Sequence, residues 1–142
     1  MGSSSVVGAA HCLMLMDSSS WTGFSKVLTP SDTRRNLSRF IIPSNSAKRC
    51  MEKCTPMQRK DITGGPGCQL WVRDCDGNGN SSATIGLLLK QWSNSNKCFV
   101  FTTGWSDYVE TKGLMQNDVL IFWWDSRSSM FCISSLKSPD NV

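Results

Sequence analysis

WSNSNKCFVFTTGWSDYVETKGLMQNDVLIF, residues 92–122, is the stretch on which the fold turns. A polar tip leads into a β-rich run, a short helix signal and a second β-rich run, which predicts a strand, helix, strand unit headed by a loop of amides and hydroxyls. Residues 104–113 read as a helix of about two turns. Trp105, Tyr108 and Val109 are spaced to face inward, Lys112 sits in the last turn, and Gly113 supplies a left-handed stop. In the tip, Ser93, Asn94, Ser95, Asn96 and Lys97 all carry hydrogen-bond donors, and Trp92 and Phe99 flank them as packed strand ends. The tip is therefore a candidate contact surface. The competing reading of the same residues is an ordinary solvated hairpin tip.

Outward from this unit, residues 83–92 form a long apolar strand that enters the tip, and residues 98–102 form its partner. Residues 118–124 and 130–136 make a hairpin through 125–129. Upstream, residues 24–28 alternate as a strand and Thr29-Pro30-Ser31-Asp32 ends it with turn chemistry. Phe40-Ile41-Ile42 is a further short apolar strand. Residues 43–54 read as a helix whose buried stripe is Ala47, Cys50, Met51 and Cys54, while Lys48, Arg49, Glu52 and Lys53 face water. Residues 55–68 contain Pro56, Gly64, Gly65, Pro66 and Gly67 and read as a loop. Residues 69–74 form a strand with Leu70 and Val72 on one face and Trp71 and Arg73 on the other. Asp74, Asp76, Asn78 and Gly79 open like a calcium loop, but Ile85 stands where the closing Glu belongs, so this run reads as a hairpin turn. Seven short strands and two short helices give a mainly β domain with a closed or nearly closed sheet over residues 24–136. It follows a Ser-rich leader, residues 1–23, expected to be disordered, and is followed by a tail, residues 137–142.

The 142 residues suit one domain, and six Trp with six Phe supply a core without metal or disulfides. Seven Cys is an odd number, and the leader has no basic start; both argue for reduced thiols inside a cell. Cys50, Cys54, Cys68 and Cys75 contain no C-x-x-C pair, so no metal site is expected, and no cofactor either. No apolar run is long enough to span a membrane. Enzyme chemistry lacks parts: the single His, His11, lies in the leader and the carboxylates are scattered through turns. Charge is more informative. Residues 24–60 hold nine basic side chains against Asp32 and Glu52, a net of +7 in a chain whose total is +4. Such a field attracts polyanions, with nucleic acid ahead of membrane. Its sharpest feature is Thr33-Arg34-Arg35-Asn36-Leu37-Ser38-Arg39, a loop between a turn and a strand. Arg presents a planar donor fork that matches a phosphate or a guanine edge, and Asn can do the same for adenine.

Taken together, Leu28-Thr29-Pro30-Ser31-Asp32, Phe40-Ile41-Ile42-Pro43, Val72-Arg73-Asp74 with Gly77, Trp92, Phe99-Val100-Phe101-Thr102-Thr103-Gly104-Trp105, Tyr108-Val109, Lys112-Gly113-Leu114 and Asp118-Val119 with Phe122 resemble the B3 DNA-binding domain of plant transcription factors. The resemblance implies a seven-stranded open pseudobarrel with two short flanking α-helices, gripping the major groove of double-stranded DNA with two arms. One arm would be Arg34, Arg35, Asn36 and Arg39; the other would be Trp92, Ser93, Asn94, Ser95, Asn96 and Lys97. Arg34, Arg35, Asn36 and Asn94 become candidates for base contact, with Arg39, Ser95 and Lys97 nearer the phosphates. Thr103 and Asn117 stand where the family usually carries Lys and Gly. The implied role is sequence-specific DNA binding that regulates transcription in the nucleus, with protein partners in transcription complexes and no small-molecule substrate. The alternative is a protein-interaction module on the same barrel that has lost selective DNA binding.

Overall fold

Seven strands form one sheet in the computed structural model, which describes residues 23–76, 83–93 and 96–141. In chain order they are β1 (Gly23–Val27), β2 (Phe40–Ile41), β3 (Cys68–Asp74), β4 (Ala83–Gln91), β5 (Phe99–Phe101), β6 (Val119–Asp125) and β7 (Met130–Leu136). Among the described residues four α-helices accompany them, α1 (Pro30–Thr33), α2 (Ser44–Glu52), α3 (Pro56–Gly64) and α4 (Trp105–Lys112), with a 3₁₀ turn at Pro139–Asn141. The sheet order is β1-β6-β7-β3-β4-β5-β2, and every pairing is antiparallel except β3 with β7.

The sheet curls around one apolar face, and on β3 the side chains alternate between that face and the outside. On β3, Leu70 and Val72 are buried while Gln69 and Trp71 are exposed, as the period of two requires. Phe24, Phe40, Phe101, Phe122 and Phe131 from five strands meet in the interior, with Trp105 and Tyr108 of α4 closing it. Ring centroids lie 4.7–6.1 Å apart, the separation at which offset and tilted aromatic pairs attract. The two edge strands meet without a backbone ladder. Phe24 of β1 stacks on Phe40 of β2 at 6.1 Å, and Lys26 Nζ donates to the Ile41 carbonyl at 2.8 Å. The result is the expected open pseudobarrel: closed by side chains along one seam rather than by hydrogen-bonded strands.

Two of the helices are the expected ones, α2 and α4, and Gly113 ends α4 at φ 62° as its left-handed stop. The other two correct the sequence reading. Thr29-Pro30-Ser31-Asp32, read as a turn, is the capping box and first turn of α1. Residues 55–68, read as a loop, contain the nine-residue α3. Pro56 is no breaker there, because it occupies the first helical turn, where its missing N–H costs nothing. Thr55 Oγ1 accepts from Gln58 N and Gln58 Oε1 from Thr55 N, a reciprocal cap. Only Ile62 of α3 is buried, so the helix leaves almost no apolar periodicity to read. Residues 75 and 76 begin the connection between the antiparallel β3 and β4; the remainder of the expected Asp-Gly turn, from Gly77, and the leader through residue 22 lie outside the described residues. Of the cysteines, Cys50, Cys54 and Cys132 are buried free thiols, while Cys68, Cys75 and Cys98 are half-buried. The segment after β7 is tied down: Ser138 N and Asn141 Nδ2 both donate to the Asp118 carboxylate at 2.8 Å.

Candidate nucleic-acid interface

The first arm is built on Asp32. Its carboxylate accepts from Thr29 N at 2.9 Å and pairs with Lys26 at 3.2 Å, while its backbone carbonyl accepts the Trp105 indole N–H at 2.7 Å. This buried acid thereby joins β1, α1 and α4 at one point and gives the arm a rigid root. The chain then reverses tightly: the Arg34 carbonyl accepts from Leu37 N at 3.1 Å and Ser38 N at 3.4 Å. Ser38 takes a left-handed conformation, φ 40°, and its hydroxyl donates to the Thr102 carbonyl of the neighbouring chain segment at 3.1 Å. Arg34, Arg35 and Asn36 stand exposed at the turn. Arg35 pairs with Glu110 of α4, and the Ser106 hydroxyl donates to the Arg35 carbonyl at 3.4 Å.

The second arm grows from the end of β4. Trp92 N donates to the Cys98 carbonyl at 2.8 Å and Gln91 Nε2 to the Lys97 carbonyl at 3.1 Å, so the tip is cinched at its base. Lys97 returns the chain through φ 49°. Ser93, Asn96 and Lys97 are exposed. Asn94 and Ser95 lie outside the described residues.

The roots of the two arms touch. The Arg39 guanidinium lies over the Trp92 ring, 5.3 Å from its centroid, which places the basic turn and the amide-rich tip at adjoining corners of the sheet. Of the ten candidate residues, Arg39 and Trp92 are brought into direct contact. Arg34, Arg35, Asn36, Ser93, Asn96 and Lys97 are exposed donors on the two segments that this contact joins.

The basic field is partly consumed by the fold. Lys26 serves the seam between the edge strands, and Arg59 Nη1 donates to the Cys54 and Met51 carbonyls at 2.6 and 3.2 Å, closing the end of α2. Lys53 lies 6.0 Å from the Trp124 ring. Lys48 and Lys60 remain exposed on α2 and α3. Sequence reasoning missed Glu110 and Ser106 as partners of the first arm, because nothing in a helix marks which loop it will face. It also missed Asp32 as the root, although the Thr29-x-x-Asp32 capping box is a legible signal.

A family model described as B3 domain-containing protein At5g26805, C-terminal domain, matches residues 21–136. The chain is 34% identical over 99 residues to the B3 domain-containing protein Os06g0107800 of Oryza sativa subsp. japonica, covering 70% of this chain and 45% of that protein. It is 34% identical over 103 residues to the B3 domain-containing transcription factor NGA2 of Arabidopsis thaliana, covering 72% and 31%. The chain thus spans less than half the length of these curated relatives. Among solved structures it resembles the Arabidopsis FUS3–DNA complex, with a TM-score of 0.59 and 23% identity over 81% of this chain and 96% of that one. It also resembles the hypothetical Arabidopsis thaliana protein At1g16640.1, with a TM-score of 0.51 and 16% identity over 87% and 98%. At these identities the likeness is one of fold.

Proposed function

The chain belongs to the B3 domain family, and from that premise we propose that it binds double-stranded DNA sequence-specifically through the major groove and thereby regulates transcription in the nucleus. The observation that carries the reading is the contact between Arg39 and Trp92, which brings a turn bearing Arg34, Arg35 and Asn36 beside a tip bearing Ser93, Asn96 and Lys97. Two short donor-rich projections on a rigid barrel suit a groove about 12 Å wide, where base edges display their full donor and acceptor code. Arg34, Arg35, Asn36 and Asn94 take the base edges in this proposal, while Ser93, Ser95, Asn96 and Lys97 hold the tip against phosphate and sugar. The relatives named for transcription and the FUS3–DNA complex support it. The function requires no cofactor or metal and no enzymatic step.

Selection of bound sequences from a random duplex pool, followed by titration of the winner at low and moderate salt, tests the proposal. A selected motif is expected, with log K falling linearly against log salt. Absence of any enriched motif, together with no change for the double variant Arg34→Ala, Arg35→Ala, would refute it. The second reading, a protein-interaction module, draws on Trp71, which stands 60% exposed on the outer face of β3. Protein partners that survive nuclease treatment and are lost on Trp71→Ala would favour it.

A further inference from the structure

We propose that Arg39 and Trp92 form a positioning pair that sets the spacing of the two arms, so that neither serves as a contact to nucleic acid; this rests on the DNA-binding reading above. β5 lies between β4 and β2 in the sheet. Phe40 of β2 and Phe101 of β5 are register partners and both face the core, so Arg39 and Val100, their neighbours in sequence, face outward. Trp92 follows β4 on that same outer face, because Leu87 and Leu89 point inward. One end of the pair therefore sits at the start of β2, and the other end at the tip, where Trp92 N bonds the Cys98 carbonyl. The line joining them crosses β5 diagonally over Val100.

Val100, which faces outward on β5 between the two ends of the pair, is 0% exposed and stands outside the interior cluster, as a residue covered on the outer face would be. The Arg39 Nε is itself buried and has no hydrogen-bond partner. A guanidinium serving a phosphate would present its donors to solvent; here the Nε donor is turned into the protein and the guanidinium carbon lies 5.3 Å from the indole centroid. That arrangement spends the charge on orientation. It fixes the root of the basic turn against the root of the tip, and the exposed Arg34, Arg35, Asn36 and Lys97 inherit their separation from it.

The test compares Arg39→Gln, Arg39→Lys, Trp92→Phe and the double variant Arg39→Gln, Trp92→Phe. Arg39→Lys keeps a long stem over Val100 and the charge, but loses the planar face. On the duplex selected by the wild-type protein, Arg39→Gln is expected to weaken binding about tenfold, the scale of a desolvated cation–π contact. The slope of log K against log salt should stay unchanged. Arg39→Lys should fail to restore affinity, and the double variant should be no worse than the weaker single one. Hydrogen exchange of the Trp92 amide, measured without DNA, should quicken in Arg39→Gln while the β3 amides keep their protection. A slope reduced by about 0.9 in Arg39→Gln would identify a phosphate contact and overturn the proposal. Additive losses, or an unaltered Trp92 amide, would overturn it equally. If the wild-type chain selects no DNA but the Trp92 amide still loosens in Arg39→Gln, the DNA reading fails and the coupling of the arms stands.

Discussion

Trp105 donates its indole N–H to the backbone carbonyl oxygen of Asp32 at 2.7 Å, a buried bond between residues 73 apart in sequence. It fastens α4 to the root of the first arm. Trp105→Phe keeps an aromatic ring near Phe40, now 4.7 Å away, but leaves the Asp32 carbonyl without its donor. Unfolding in urea should show a loss of about 2–3 kcal/mol, from the unmet acceptor and the smaller ring together. A change under about 0.5 kcal/mol would show that water replaces the bond at no cost.

Two glycines at one crossing should respond in opposite ways. Gly104 adopts φ 94°, and a Cβ there would overlap the carbonyl oxygen of Gly86, which is backbone and cannot yield. Gly104→Ala is expected to cost more than about 3 kcal/mol or to prevent folding. At Gly86 the added Cβ would meet mainly the amide end of the Gln69 side chain, which can swing away. Gly86→Ala should therefore stay within about 1 kcal/mol of wild type. Thermal melts of the two variants side by side would reveal the contrast.

Asp118 makes stability fall in acid. Burial by itself would raise its pKa, but hydrogen bonds from Asn141, Ser138 and Met115 and the Lys137 ammonium outweigh burial and hold it at about 2. Because the folded value lies below the unfolded one, the contribution is complete above about pH 4 and disappears as pH drops toward about 2. The shift corresponds to roughly 2 kcal/mol at neutral pH. Urea midpoints should fall over this range in the wild-type chain. Asp118→Asn should start lower and lose less of its remaining stability across the same window. Parallel curves for the two proteins would contradict the assignment.

If Arg35 takes a base edge as proposed, its ion pair with Glu110 must open for it to do so. The pair is exposed on both sides, 65% and 59%, so it adds little to stability, but it holds a negative charge beside the first arm. Glu110→Gln should leave the urea midpoint nearly unchanged. Affinity for the selected duplex should rise about two- to fivefold at low salt, and the gain should shrink as salt increases. Anisotropy titrations would measure it. A fall in affinity would mean that Glu110 prepares Arg35 for DNA instead of withholding it.

What could be read along the chain was whatever repeats over a few residues. The alternation of Leu70 and Val72 with Trp71 and Arg73, the inward spacing of Trp105, Tyr108 and Val109, and the Gly113 stop all arise from backbone periods of two and 3.6, so residues close in sequence suffice to reveal them. The same locality hid α3, a helix held by caps with a single buried residue. The amino acids by themselves determined a seven-stranded barrel with a basic turn and an amide-rich tip. Only the tertiary structure decided how those two projections meet. The strand order brings Arg39 next to Trp92 across β5, and two cations of the basic stretch, Lys26 and Arg59, bond backbone carbonyls at a seam and at a helix end. The physical reason is that a cation's role depends on which desolvated partner the fold delivers to it, and that partner lies far along the chain, beyond the reach of any local pattern.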